Sequence, residues 1–169
     1  MPISDHFITR SHPCPLWRRL LALVYDALIV VAIVMVVGLL CQLATGGQLI
    51  QVGARTVIPV WYRPLQGLVV AAYFISSWLR GGQTVGMRPW RIRLCRADGN
   101  APTLQQAVLR LLAAAAPMLL LLLAPAIGLH ATLWALLAAW TGWFATALFD
   151  PRRRALHDII AATELQRVG

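Results

Sequence analysis

The chain has no lysine, one glutamate and five aspartates, and charged residues of either sign make up 12% of its 169 positions. Soluble domains carry about a quarter charged residues, so the polar side chains here cannot cover a water-exposed globule. A soluble enzyme is excluded on that ground. Cysteine is also scarce: Cys14, Cys41 and Cys95 show no C-x-x-C spacing, so no disulfide framework is implied. A phosphate-cradling glycine loop, a nucleophile elbow and an aromatic-basic surface are missing too, which removes the nucleotide, acyl-transfer and nucleic-acid readings.

What is present is apolar. Hydrophobic residues make up 59% of the chain and mean hydropathy is +0.69. The 15 arginines, which give a net charge of +9, fall in a few clusters, a pattern that points to a membrane surface. A helix crossing about 30 Å of hydrocarbon needs ~20 mostly apolar residues. Runs of this kind predict four spans, at about 18–43, 58–79, 107–125 and 130–149. The last two come from the uncharged stretch Leu111 to Phe149, too long for one crossing, with Pro125, Gly128 and His130 marking the turn. Arg63, beside Trp61 and Tyr62, is placed to snorkel to the interface.

Arginine-rich flanks stay cytoplasmic. Arg10, Arg18 and Arg19 lie at the start of the chain; Arg80, Arg88, Arg91, Arg93, Arg96 and Arg110 lie between the second and third runs; Arg152, Arg153, Arg154 and Arg167 follow the fourth. Both termini are therefore expected in the cytoplasm. The first run is too long for a signal-peptide core and no small-x-small cleavage site follows it, so it is read as retained.

The expected fold is all-α, a polytopic transmembrane helical bundle over residues 16–165, with a disordered tail at 1–15 and a C-terminal tail at 166–169. Between the second and third spans, Arg91 to Cys95 alternates basic and apolar residues, the period of a short extended segment on the cytoplasmic face. Asp98-Gly99 is a turn signal and Thr103 an N-cap. Asp150-Pro151 ends the fourth span, and Ala155 to Thr163 reads as two turns of interfacial helix. Ala131, Ala135, Ala138, Gly142 and Ala145 form a small-residue stripe that predicts a close helix contact, with Gly67 and Ala71, or Ala113, Ala114 and Pro117, as matching surfaces.

Charge inside hydrocarbon is the functional signal. Asp26 follows Arg19 by seven residues, which puts both on one helix face about 10 Å apart along the axis. An aspartate at that depth costs ~2.5–3.5 kcal/mol, so Asp26 is expected to meet a cation, a watered cavity or a proton. Arg18, Arg19 and Arg110 are the candidate cations. The outcome is either an internal ion pair that locks helices or a solute or proton site. Asp158 falls within reach of Arg19 or Arg110.

Catalytic readings fail on missing partners. His157-Asp158 resembles the pair of metal phosphohydrolases, without the further ligands of a metal shell. Tyr25-Asp26 resembles half of an intramembrane aspartyl-protease dyad, without an acid on a second span. His6, His12 and Cys14 lack ordered ligand spacing. No catalytic residue, metal or cofactor is expected.

Three segments together resemble the RDD family of small bacterial membrane proteins, named for one arginine and two aspartates. The first is Trp17 to Asp26, with Arg19 and the seventh-following Asp26. The second is Gly82-Gln83-Thr84-Val85-Gly86-Met87-Arg88, with Ile92, Asp98-Gly99 and Arg110. The third holds Asp150, Arg152 to Arg154, Leu156-His157-Asp158, Ala161 and Thr163. Met87 stands where the family usually has a basic residue, and a fourth span exceeds the commonest three-span pattern. The resemblance implies a membrane protein often proposed to transport something. The expectation is then a multi-pass protein of the bacterial inner membrane that moves a small ion or solute through an oligomer. Arg19, Asp26, Arg110 and Asp158 would form its polar network, and Gln83, Thr84, Gly86 and Arg88 a loop site. The alternative is a non-catalytic accessory or scaffold subunit. Expected partners are membrane lipids, further copies of the chain or another membrane protein, and not nucleic acid.

Overall fold

In the computed structural model, residues 14–47, 49, 58–151 and 153–167 are described. Helix α1 runs over Leu16–Ala44, 29 residues, starting after Pro15 with its extended φ/ψ of −65°/145°. Of its 29 residues 20 are Leu, Val, Ala or Ile, and it ends where Thr45 turns its hydroxyl onto the Cys41 carbonyl (2.9 Å) and Gly46 and Gly47 adopt positive φ.

Helix α2, Tyr62–Gly81, stops at Gly82, whose φ of 68° is left-handed and whose amide closes on the Trp78 carbonyl. It lies antiparallel to α1. Tyr62 packs its hydroxyl against Gly38, Gln66 Nε2 donates to the Val34 carbonyl (3.2 Å), and Tyr73 reaches Asp26. Moving up α2 therefore moves down α1 level by level.

Strand β1, Ile92–Arg96, is the expected extended segment. After it, Thr103 caps α3, Leu104–Ala115, in a reciprocal box: the Gln106 amide donates to Thr103 Oγ1 (3.3 Å) and Gln106 Oε1 accepts from the Thr103 amide (3.0 Å). The third predicted span begins earlier than residue 107 and changes character midway. From Ala116 to Leu123 it is a 3-10 helix, followed by the short α4, Ala124–Ile127. Pro117 lacks the amide that would continue the α-helical ladder. Gly128, at φ 86°, turns the chain into α5, Leu129–Phe149, so Pro125 and His130 lie inside the flanking helices.

Among the described residues, three stretches are long and apolar enough to cross a membrane: Leu16–Ala44, Leu104–Ile127 and Leu129–Phe149. The second predicted span does form a 20-residue helix, α2, but falls outside this set. Tyr62, Arg63, Gln66, Tyr73, Ser76 and Ser77 lower its hydropathy, and several of these face α1 rather than lipid. Large apolar side chains such as Leu28, Met35, Leu122 and Trp134 are exposed, as lipid-facing surfaces are.

The C-terminal end departs from expectation. The interfacial helix shrinks to α6, Leu156–Ile160, and the chain then forms strand β2, Thr163–Arg167, antiparallel to β1 from Arg96↔Thr163 to Ile92↔Arg167. Residues 166 and 167, predicted as tail, belong to this strand. Thr163 and Leu165 are buried while their neighbours are not, an alternation that three turns of sequence beyond the last span can hide. The inner end of the predicted N-terminal tail, residues 14 and 15, is part of the folded structure. Cys14 is buried and its amide donates to the Leu165 carbonyl (3.3 Å), whereas residues 1–13 lie outside the described residues.

The buried core gathers at this end: Ala22, Trp78, Met87, Ile92, Leu94, Ala107 and Leu165 pack with Cys14. Within the predicted small-residue stripe, Ala135 and Ala145 are half-buried while Ala131, Ala138 and Gly142 are exposed. Gly67 and Gly142 have open space beside them, although Ala113 and Pro117 are buried. All three cysteines are free.

Thr103→Ala should lower stability in detergent by ~1 kcal/mol through loss of the cap, and Thr103→Ser should restore it. Identical denaturant midpoints for all three proteins would show that the box contributes nothing.

Candidate functional site: two buried carboxylates and a cavity

Asp158 is wholly buried and is the meeting point of four segments. Arg19 from α1 donates Nη1 to Oδ2 (3.2 Å) and Arg110 from α3 donates Nη1 to Oδ1. The Ala155 amide donates to Oδ2 (3.1 Å), so Asp158 also closes the first turn of its own helix. Arg110 Nη1 extends to Thr163 Oγ1 at the start of β2 (3.3 Å), and its guanidinium lies 5.3 Å from the Trp78 ring centroid. These contacts join α1, α3, α6 and β2 at one carboxylate.

His157 sits beside this cluster, with Nε2 3.5 Å from Asp158 Oδ1 and its ring edge-on to Phe144. Burial, reinforced by the positive charges of Arg110 and Arg19, pushes its pKa down to about 2. It is a neutral imidazole at physiological pH.

Asp26 is 4% exposed and does not join the arginines. Among the described residues it makes no ion pair. Tyr73 donates its hydroxyl to Oδ1 (2.9 Å), Thr84 donates Oγ1 to Oδ2 (2.6 Å), and the Gly86 amide donates to Oδ1 (3.0 Å). The expected network of Arg19, Asp26, Arg110 and Asp158 is thus two sites. The reason lies in helix geometry. Side chains lean toward the helix N-terminus, so Arg19, seven residues before Asp26, reaches away from it and toward α6. Arg18 is diverted as well, donating Nη1 to the Trp90 carbonyl (3.2 Å).

The predicted loop site resolves residue by residue. Thr84 and Gly86 hold Asp26. Gly86 admits nothing larger, because a Cβ there would stand 2.7 Å from the Ala22 carbonyl and from Asp26. Gln83 instead braces β1, donating Nε2 to the Ile92 carbonyl (2.8 Å). Arg88 is exposed at the surface, and the adjacent Met87 fills the core. Tyr73 was not anticipated, although Tyr62, Gln66 and Tyr73 recur at intervals that place them on one face of α2.

A cavity of about 300 Å³ lies between these two carboxylates, lined by residues that include Arg19, Asp26, Trp140, Trp143, His157 and Asp158. Its upper walls are apolar, from Val70, Phe74 and Met118. Among the described residues no cluster of three or more His, Cys, Asp or Glu could hold a metal; His6 and His12 lie outside the described residues.

The chain matches the RDD family over residues 13–162 and belongs to that family. No curated protein and no solved structure matches it.

Two outcomes follow. Asp158→Asn leaves two buried guanidinium groups without their carboxylate and should destabilise the protein by ~3–5 kcal/mol, read as the shift of the unfolding midpoint in detergent. His157 binds a proton in the unfolded chain below its ordinary value near 6.5 but not in the folded one until about pH 2. Its contribution to stability is therefore complete above pH 6.5 and lost as pH falls, by up to ~1.4 kcal/mol per unit. His157→Phe should flatten the difference in stability between pH 7 and pH 5; a slope equal to wild type would contradict the assignment.

Proposed function

We propose, taking RDD family membership as the premise, that this is a multi-pass protein of the bacterial inner membrane that binds and translocates a small solute, with no catalytic step. The observation that carries the reading is the cavity shared by Asp26 and the Asp158 cluster, a solute-sized space with charge at its floor and apolar walls.

Four crossings with both termini in the cytoplasm fit best. The level-by-level pairing of α2 with α1, from Tyr62 at Gly38 to Tyr73 at Asp26, supports α2 as a full crossing despite its polar face. Exposed Arg80, Arg88, Arg91, Arg93 and Arg153 sit around the end that holds both strands, where anionic headgroups would meet them. A chain of this size encloses little more than one cavity, so translocation is ascribed to a homo-oligomer. Recruitment of another protein by strand addition has less support. Cys14 covers part of the β2 edge and the Gly82 carbonyl accepts from Leu94 on β1.

Purified protein in pyranine-loaded liposomes should dissipate an imposed pH or ion gradient, and Asp26→Asn, which keeps the side-chain shape, should reduce that flux about ten-fold or more. Wild-type flux no greater than empty liposomes would refute transport, and equal flux in the variant would remove Asp26 from the path.

A further inference from the structure

The donors around the cavity outnumber the acceptors. Arg19 spends Nη1 on Asp158 and has the Cys14 thiol beside it, but its Nε and Nη2 are buried without a nitrogen or oxygen partner, as are the indole N–H groups of Trp78, Trp140 and Trp143; the Nδ1 of His157, an acceptor because Nε2 faces Asp158, is unpartnered too. All five residues line the same cavity. Buried donors left unpaired are costly, about 1–3 kcal/mol each and more for a charged group, so a cluster of them converging on one space has a chemical meaning.

Charge points the same way. Arg19 and Arg110 carry two positive charges at the cavity floor against one carboxylate, Asp158. Neutral His157 adds none, and Cys14, whose thiol burial pushes up, supplies no counter-charge. Asp150 is chelated by Arg154 through Nε and Nη2 (both 3.0 Å). Asp26 stands two turns up α1 with both oxygens engaged. Over the whole lining the two arginines are balanced by Asp26 and Asp158, but at the floor itself two guanidinium groups share one carboxylate.

Geometry narrows the ligand. Nε and Nη2 together form the side-on edge of the guanidinium, two parallel N–H groups that match a planar carboxylate. At ~30 Å³ per water-sized unit, the cavity holds about ten non-hydrogen atoms. We propose that it binds a small organic monocarboxylate of about that size, its carboxylate forked on Arg19 Nε and Nη2 beside the Trp143 and Trp140 indoles and its apolar body along Val70, Phe74 and Met118. This names the ligand class for the solute site proposed above and rests on that reading of the cavity.

Three cavity tryptophans report occupancy directly. Hexanoate or benzoate titrated into protein in phosphatidylcholine nanodiscs should change tryptophan fluorescence saturably, and methyl hexanoate should not. Arg19→Lys keeps the charge but loses the fork, and should weaken hexanoate about ten-fold or more. Should that variant not fold, Trp143→Phe keeps the shape, removes one donor and should weaken binding several-fold. Saturation equal for acid and ester, or no saturation with either acid, overturns the proposal. So does loss of hexanoate binding on adding phosphatidylglycerol, which would assign the site to a lipid phosphate. Because binding is read at equilibrium, carboxylate binding without flux leaves this site standing and sinks transport. Proton or cation flux without carboxylate binding does the reverse.

Discussion

One carboxylate with two arginines on it organises this protein. Asp158 receives Arg19 and Arg110 where water does not reach, and a buried pair of this kind is strongly destabilising when half of it is removed. The consequence is topological. Arg19 is near the start of the chain, Arg110 in its second half and Asp158 close to its end, so the cluster forms only when the first helix, the third helix and the C-terminal segment have all arrived. In lipid the helices gain little from burying apolar surface against each other, and most of their outer faces are exposed here. The packed core lies at the end where the arginines meet.

How much of this is legible in residue order depends on the range of the signal. The first and last long apolar runs, the Thr103 cap and the extended segment around Arg91 to Cys95 are local, and each appears within a few residues of where its pattern puts it. Strand β2 is not local. Thr-Glu-Leu-Gln-Arg is five residues with no flanking turn signal, and only its partner β1, about seventy residues earlier, makes it a strand. The same holds for α2. Its polar residues lower its hydropathy when read along the chain, yet Tyr62, Gln66 and Tyr73 are turned toward α1. Burial of polar groups between helices cannot be told from exposure of polar groups to water until the neighbour is known.

The separation of Asp26 from Arg19 has a different origin. Seven-residue spacing correctly puts Arg19 and Asp26 on one face, but shared face is not shared contact. Both side chains lean toward the helix N-terminus, and the longer arginine reaches further that way than the aspartate does, so each charge finds its partners in another segment. Asp26 takes hydroxyls and an amide from α2 and the loop after it. Arg19 takes the carboxylate from α6. The single helix α1 is thereby pinned at two levels, from one side by the central loop and from the other by the C-terminal segment, and the space between the two pins is the cavity.

That space also explains why the basic residue at position 19 matters as a shape. A lysine ammonium is a compact point charge and would settle on Asp158 with all its donors directed there. A guanidinium is planar and presents donors along separate edges, so engagement of Nη1 by Asp158 leaves the Nε and Nη2 edge facing elsewhere. At Arg19 that edge is buried without a nitrogen or oxygen partner, on a side chain that lines the cavity. The ion pair that holds the C-terminal segment against α1 thus holds the remaining edge of the same side chain in a fixed direction, and a residue whose first role is to close the fold becomes a preorganised donor pair inside it.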